Sequence, residues 1–267
     1  MLDNGLLVAA SVPSGPADTW AEIRSTGPLA ARNRHVLVFL AGYFWVFGGY
    51  DGSSNLNDLW RYDPGADSWT QMASGATARQ NHAAAVLNGC AWVFGGHDGS
   101  SYLNDLWRYD PGADSWTQMT SGATARQYHG MASDGTYLWV FGGYDGSSYL
   151  DDLWRYDPGA DSWTQMASGA TARNNHGMAS DGTYLWVFGG YDGSSNLNDL
   201  WRYDPGADSW TQMASGATAR FSPAMASLNG RLWVFGGHDG SNYLNDLWRY
   251  DPGADSWTQM TSGATAR

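Results

Sequence analysis

The segment Asn-Asp-Leu-Trp-Arg-Tyr-Asp-Pro-Gly-Ala-Asp-Ser-Trp occurs five times in this chain, with Asp151 in place of the first Asn once. Its first tryptophan falls at Trp60, Trp107, Trp154, Trp201 and Trp248, a constant spacing of 47 residues. A fixed period of this length marks an architecture in which one unit cannot bury its apolar face alone and must stack on its neighbours. The repeat therefore decides the fold, and the positions where copies disagree are where function is to be sought.

Repetition outranks length here: 267 residues read as one body of five units rather than two domains. Charged residues make up 15%, aromatic residues another 15%, and there are 35 glycines, a balance that suits turn-dense β structure. The net charge of −12 supplies no basic field, so neither nucleic acid nor a membrane surface is expected as a partner. All 14 positive charges are arginines and Glu22 is the sole glutamate among 26 acids, a skew that follows from amplifying one unit. The single cysteine, Cys90, excludes an intrachain disulfide framework and a multi-cysteine metal site. No run of 18 apolar residues exists, and the start Met-Leu-Asp-Asn-Gly lacks the basic and apolar regions of a signal peptide. The expectation is a soluble chain, with its compartment left open.

The second copy, Arg79 to Ala125, serves as the type unit and resolves into four short strands. The first, near His82 to Leu87, is built from small residues (Ala83, Ala84, Ala85), as an innermost strand crowded around a narrow axis requires. Asn88-Gly89 signals a hairpin turn. The second strand, Ala91 to Phe94, is apolar on both faces, as a strand sandwiched between sheets must be, and ends in Gly95-Gly96. A polar loop, His97 to Tyr102, leads to the third strand around Leu106 to Tyr109; Asp110-Pro111-Gly112 turns it, and Trp116 to Met119 forms the fourth.

The Gly-Gly doublet, followed by Tyr109, six intervening residues and Trp116, resembles the kelch signature. It recurs as Tyr62/Trp69, Tyr156/Trp163, Tyr203/Trp210 and Tyr250/Trp257, and Arg-x-x-His opens most copies. The resemblance covers Arg32 to Arg267 and implies an all-β, kelch-type β-propeller with five complete four-stranded blades. Residues 1–31 look like a worn repeat: Leu2 to Val8 resembles the hairpin Leu87 to Val93, and Pro16-Ala17-Asp18-Thr19-Trp20 echoes the approach to the outer strand. This segment is either a closure strand for a five-bladed ring or a degenerate sixth blade. The expected organisation is thus 1–31 as a partial repeat and 32–267 as the propeller.

Copies differ mainly in three places. After each opening arginine come Asn33-Arg34, Gln80-Asn81, Gln127-Tyr128, Asn174-Asn175 and Phe221-Ser222. After each Gly-Gly come Tyr50, His97, Tyr144, Tyr191 and His238, and five residues further Asn55, Tyr102, Tyr149, Asn196 and Tyr243. In an antiparallel blade ordered from axis to rim these loops share one end, and their residue types are those of binding surfaces. Kelch substrate adaptors hold peptides on this face, opening arginines included, which by resemblance adds Arg32, Arg79, Arg126, Arg173 and Arg220 to the candidate contacts. The competing reading is drift, since copied units diverge first at tolerant loop tips and the opposite hairpins vary too.

No catalytic constellation emerges: there is no Gly-x-Ser-x-Gly elbow, and Cys90 sits in an apolar strand where other copies carry Tyr137, Tyr184 and Arg231. His35, His82, His129 and His176 read as structural histidines bonded to loops rather than a metal ring, which Pro223 interrupts. Asp51-Gly52-Ser53-Ser54 and its copies read as capped turns, not calcium loops. Asp58 and Arg61 read as structural pairing. The sequence thus points to a non-enzymatic scaffold without cofactor, recognising a protein or peptide, or else a glycan. The alternative is a recently amplified or engineered structural repeat without a specific ligand. Identical interfaces also leave strand- or blade-exchanged homodimers open.

Overall fold

A computed structural model of the chain describes residues 29–261, so the N-terminal remnant lies outside the described residues apart from 29–31. Twenty strands form five four-stranded antiparallel sheets, each paired in chain order from axis to rim, and no helix occurs among the described residues. In blade two the strands are Ala83–Leu87, Cys90–Phe94, Leu106–Asp110 and Ser115–Met119. The fold is a five-bladed propeller of four-stranded blades.

Inner strands from successive blades pack side by side around the axis. Small residues are needed there: a Cβ at Gly130 would lie 2.6 Å from the Met178 Cβ of the next blade. The Gly-Gly doublet has a similar cause. Gly95 and Gly96 hold φ of 62° and 97°, and a Cβ on Gly95 would sit 2.8 Å from the Arg126 carbonyl oxygen.

Each blade grips the next with the same aromatic contacts. The second-strand tryptophan stacks on the third-strand tyrosine of the following blade: Trp45 on Tyr109 at 5.4 Å, Trp92 on Tyr156 at 5.7 Å, Trp139 on Tyr203 at 5.5 Å and Trp186 on Tyr250 at 5.7 Å. Phenylalanine at the strand's end meets the following blade's outer tryptophan, as Phe94 meets Trp163 at 5.1 Å. Such pairs contribute about 0.5–1.5 kcal/mol beyond the area they bury. The result is four separate apolar cores, one per interface between consecutive blades.

Blade five differs in one respect. Trp233 and Phe235 hold the positions of Trp186 and Phe188, yet Trp233 is half-buried and Phe235 is 39% exposed, whereas Trp186 and Phe188 are fully buried. The inner strands of blades five and one lack the packing that the other consecutive pairs share.

Candidate binding face

Within each blade, isolated antiparallel bridges tie the three variable stretches together. Asn33 pairs with Tyr50 and Tyr50 with Asn55; Gln80–His97–Tyr102, Gln127–Tyr144–Tyr149, Asn174–Tyr191–Asn196 and Phe221–His238–Tyr243 repeat the arrangement. The next residue inward, Arg34, Asn81, Tyr128, Asn175 or Ser222, holds a left-handed φ between 51° and 58°. There the backbone links blade to blade: the N–H of Asn81 donates to the Arg34 carbonyl at 3.1 Å, Tyr128 to Asn81 at 3.0 Å, Asn175 to Tyr128 at 2.9 Å and Ser222 to Asn175 at 2.7 Å. The variable positions therefore lie on one end of the propeller, in concentric tiers.

Side chains knit the surface laterally. Arg34 donates to Gln80 Oε1 at 2.8 Å and Asn81 to Gln127 Oε1 at 3.0 Å. An aromatic arc runs from Tyr102 to Tyr144 at 6.1 Å, to Tyr149 at 5.3 Å and on to Tyr191 at 5.8 Å. Burial, then the neighbouring Tyr191 and Tyr144, push the Tyr149 phenol up. Between blades four and five the face dips into a cavity of about 390 Å³ lined by Asn174, Asn175, Tyr191, Phe221 and the Ser194–Asn196 loop. Copy variation misses Ser194 and Gly240 of this lining because every copy carries Ser or Gly there, and the Ser195 position changes only once, to Asn242.

The five opening arginines, offered as contacts by resemblance, are placed inside the fold. Arg79, Arg126, Arg173 and Arg220 have no exposed surface, and the Arg32 side chain keeps only 3%. Arg79 bonds both oxygens of Asp105 at 2.7 Å and the carbonyls of Gly95 and Thr77 at 2.9 Å. Its counterparts pair likewise with Asp58, Asp152, Asp199 and Asp246. All three guanidinium nitrogens of Arg79 donate within the fold, so these arginines brace the loops from below. Asn81 and Asn174 are buried as well, whereas the remaining candidates are at least partly exposed, Tyr243 most of all at 46%. Burial raises the Asp105 carboxyl, but the hydrogen bonds and charge of Arg79 outweigh it and hold the group below the usual carboxylate range.

The histidines call for a correction. Rather than bonding to loops, His82, His129 and His176 set their rings edge-on against Phe47, Phe94 and Phe141 at 5.3–5.4 Å. The Phe47 and Phe94 carbonyls favour the charged ring slightly, yet no nitrogen of the three rings reaches hydrogen-bonding geometry among the described residues. Burial, reinforced by the adjacent Arg173, lowers His176 from 6.5 to about 3. No group of three or more His, Cys, Asp or Glu able to hold a metal ion occurs among the described residues. The Asp51 turn is capped as expected, with Asp51 Oδ1 accepting the Ser53 and Ser54 amides at 2.8 Å. Asp58 pairs with Arg32, not Arg61, which lies over the Tyr43 ring at 4.6 Å.

Comparison with known proteins agrees with this architecture. The KLHDC2/KLHL20/DRC7 Kelch-repeats domain matches residues 14–121, 79–215 and 124–265. Among solved structures, one described as "Structure of YjhT" superposes with a TM-score of 0.76 at 17% identity, covering 86% of this chain and 84% of that one. At that identity the likeness concerns the fold alone. No curated protein matches the sequence. Among the described residues no helix is long and apolar enough to cross a membrane.

Proposed function

The chain belongs to the kelch-repeat family, and on that footing we propose that it is a non-enzymatic recognition scaffold whose variable loop face binds a protein or peptide. The observation that supports this reading is the physical joining of the variable stretches: bridges within blades and a backbone ladder between them hold exchangeable side chains on one continuous surface. Arg34 and Tyr128 belong to the innermost tier, Phe221 stands one residue further out beside Ser222, and Tyr50, His97, Tyr144, Tyr191 and His238 lie beyond them. Arginine and aromatic anchors of this kind carry most of the energy at interfaces.

Other blades supply a test that spares the fold. Changing Arg34→Asn, Tyr128→Asn and Phe221→Asn installs at each position a residue that another copy already carries there. Proteome-wide capture with the native chain and with this triple variant is expected to lose partners in the variant. Each hot-spot loss should cost about 2 kcal/mol when affinity is measured with a recovered partner. Equal recovery would leave the face idle and favour an amplified structural repeat without a specific ligand.

A further inference from the structure

On the variable face, side chains bridge three of the four seams between consecutive blades. Tyr102 and Tyr149 lean across the second and third: a Cβ on Gly146 or Gly193 of the next blade would lie 2.7 Å from the tyrosine ring. Across the first, the Arg34 guanidinium donates to Gln80 Oε1 at 2.8 Å and the Asn55 amide to the His97 carbonyl at 3.3 Å. The fourth seam, between blades four and five, has neither device. Asn196 takes the tyrosine's place and is too short to fill the gap, and Phe221 takes the glutamine's, so Asn175 lacks the acceptor that Asn81 finds in Gln127 Oε1 at 3.0 Å. The cavity of about 390 Å³ lies here.

The polar lining of this cavity is unbonded. The side chains of Asn174, Asn175 and Asn196 make no hydrogen bond among the described residues, although Asn174 is only 8% exposed. The Tyr191 hydroxyl makes none either, whereas those of Tyr50 and Tyr144 donate to the Gly52 and Gly146 carbonyls at 2.9 Å. No charged side chain lines the cavity. A charged group entering it would lose water without gaining a counter-charge, and a purely apolar one would leave the carboxamides cut off from water and unpaired. What satisfies them is a neutral group that both donates and accepts. A carboxamide is its own complement, since the N–H of one meets the C=O of the other.

We propose that the cavity between blades four and five is a subsite for a glutamine or asparagine side chain of a peptide partner, its carboxamide shared among Asn174, Asn175 and Asn196 and its methylene stem flanked by Phe221 and Tyr191. The subsite rests on the reading of the variable face as a peptide-binding surface and adds the chemistry of one anchor. It also assigns a purpose to the one seam in which both bridging residues have been exchanged.

Random peptides displayed on phage and selected on the full chain test this. The selected peptides are expected to share one position at which Asn or Gln is enriched at least tenfold over the input. A synthetic peptide from the selection should bind at least tenfold more weakly by calorimetry once that residue is changed to Glu or Leu. Two variants close the cavity with residues that other blades already carry: Asn196→Tyr supplies the ring of Tyr102 and Tyr149, and Phe221→Gln supplies the acceptor that Gln127 gives Asn81. Each should weaken the same peptide at least tenfold. Peptides without such a position, or bound equally well by both variants, would overturn the subsite and leave the peptide-binding face standing, whereas selection of no peptide at all would overturn both. Retention of a neutral glycan on an array, lost with Asn196→Tyr, would assign the cavity to a sugar and overturn the carboxamide.

Discussion

Arg126 is fully buried and finds its counter-charge in Asp152, whose oxygens take both ends of the guanidinium at 2.6 and 2.7 Å. Removing only the acid strands a charge inside the protein, so Asp152→Ala is expected to cost about 3–5 kcal/mol in urea unfolding. The imidazoles make a second demand on the interior, because burial holds His35 at about 4 and His176 at about 3 while the unfolded rings take up protons near 6.5. Below pH 6.5 the unfolded state binds more protons than the folded one, so stability falls as the pH drops from 6.5 towards 4. The paired carboxylates Asp58, Asp105 and Asp246, held below 3.8, add their loss only at lower pH. Thermal melts across this range should show the decline, and His176→Phe should flatten it.

At the level of a strand, blade two lacks a contact that three others make. Arg61, Arg155 and Arg202 each lie 4.6 Å over the ring of Tyr43, Tyr137 or Tyr184. The equivalent ring position in blade two is Cys90, beside Arg108, and in blade five it is Arg231, which pairs with Asp251 at 3.0 Å. Cys90→Tyr is expected to restore the stack and stabilise by about 0.5–1 kcal/mol in denaturant unfolding, the worth of a partly exposed cation–π pair. The strands themselves were legible in the type unit because period-2 patterning, Asn-Gly turns and small inner residues are local signals. The inward arginines were not, because the partner that draws Arg79 inside, Asp105, lies 26 residues away and meets it only once the second and third strands have paired. The histidines escaped for the same reason: the phenylalanine faces that pack them belong to the preceding blade.

Across the described residues, four similar interfaces stand in series, and the inner-strand packing between blades runs from each blade to the next. Phe47→Ala and Phe188→Ala, in the first and fourth interfaces, should each cost about 3–5 kcal/mol, and the double variant should match their sum within about 0.5 kcal/mol. A double-mutant cycle by urea unfolding checks this, and a shortfall would mean that the interfaces fail as one. The ring of blades was legible from the period, but the exposed face of blade five was not, since Trp233 and Phe235 repeat their counterparts letter for letter and only position in the ring changes their surroundings. The backbone ladder around the axis, from Arg34 through Ser222, has its own bearing on how such a protein changes. Its rungs are peptide groups, so four different amino acids (Arg, Asn, Tyr and Ser) share five equivalent seats on an unchanged frame. Content and grammar are separated: a copying event multiplies the frame, and single substitutions then rewrite what is displayed. Specificity in such a molecule can evolve by spelling alone, one seat at a time, without renegotiating the architecture.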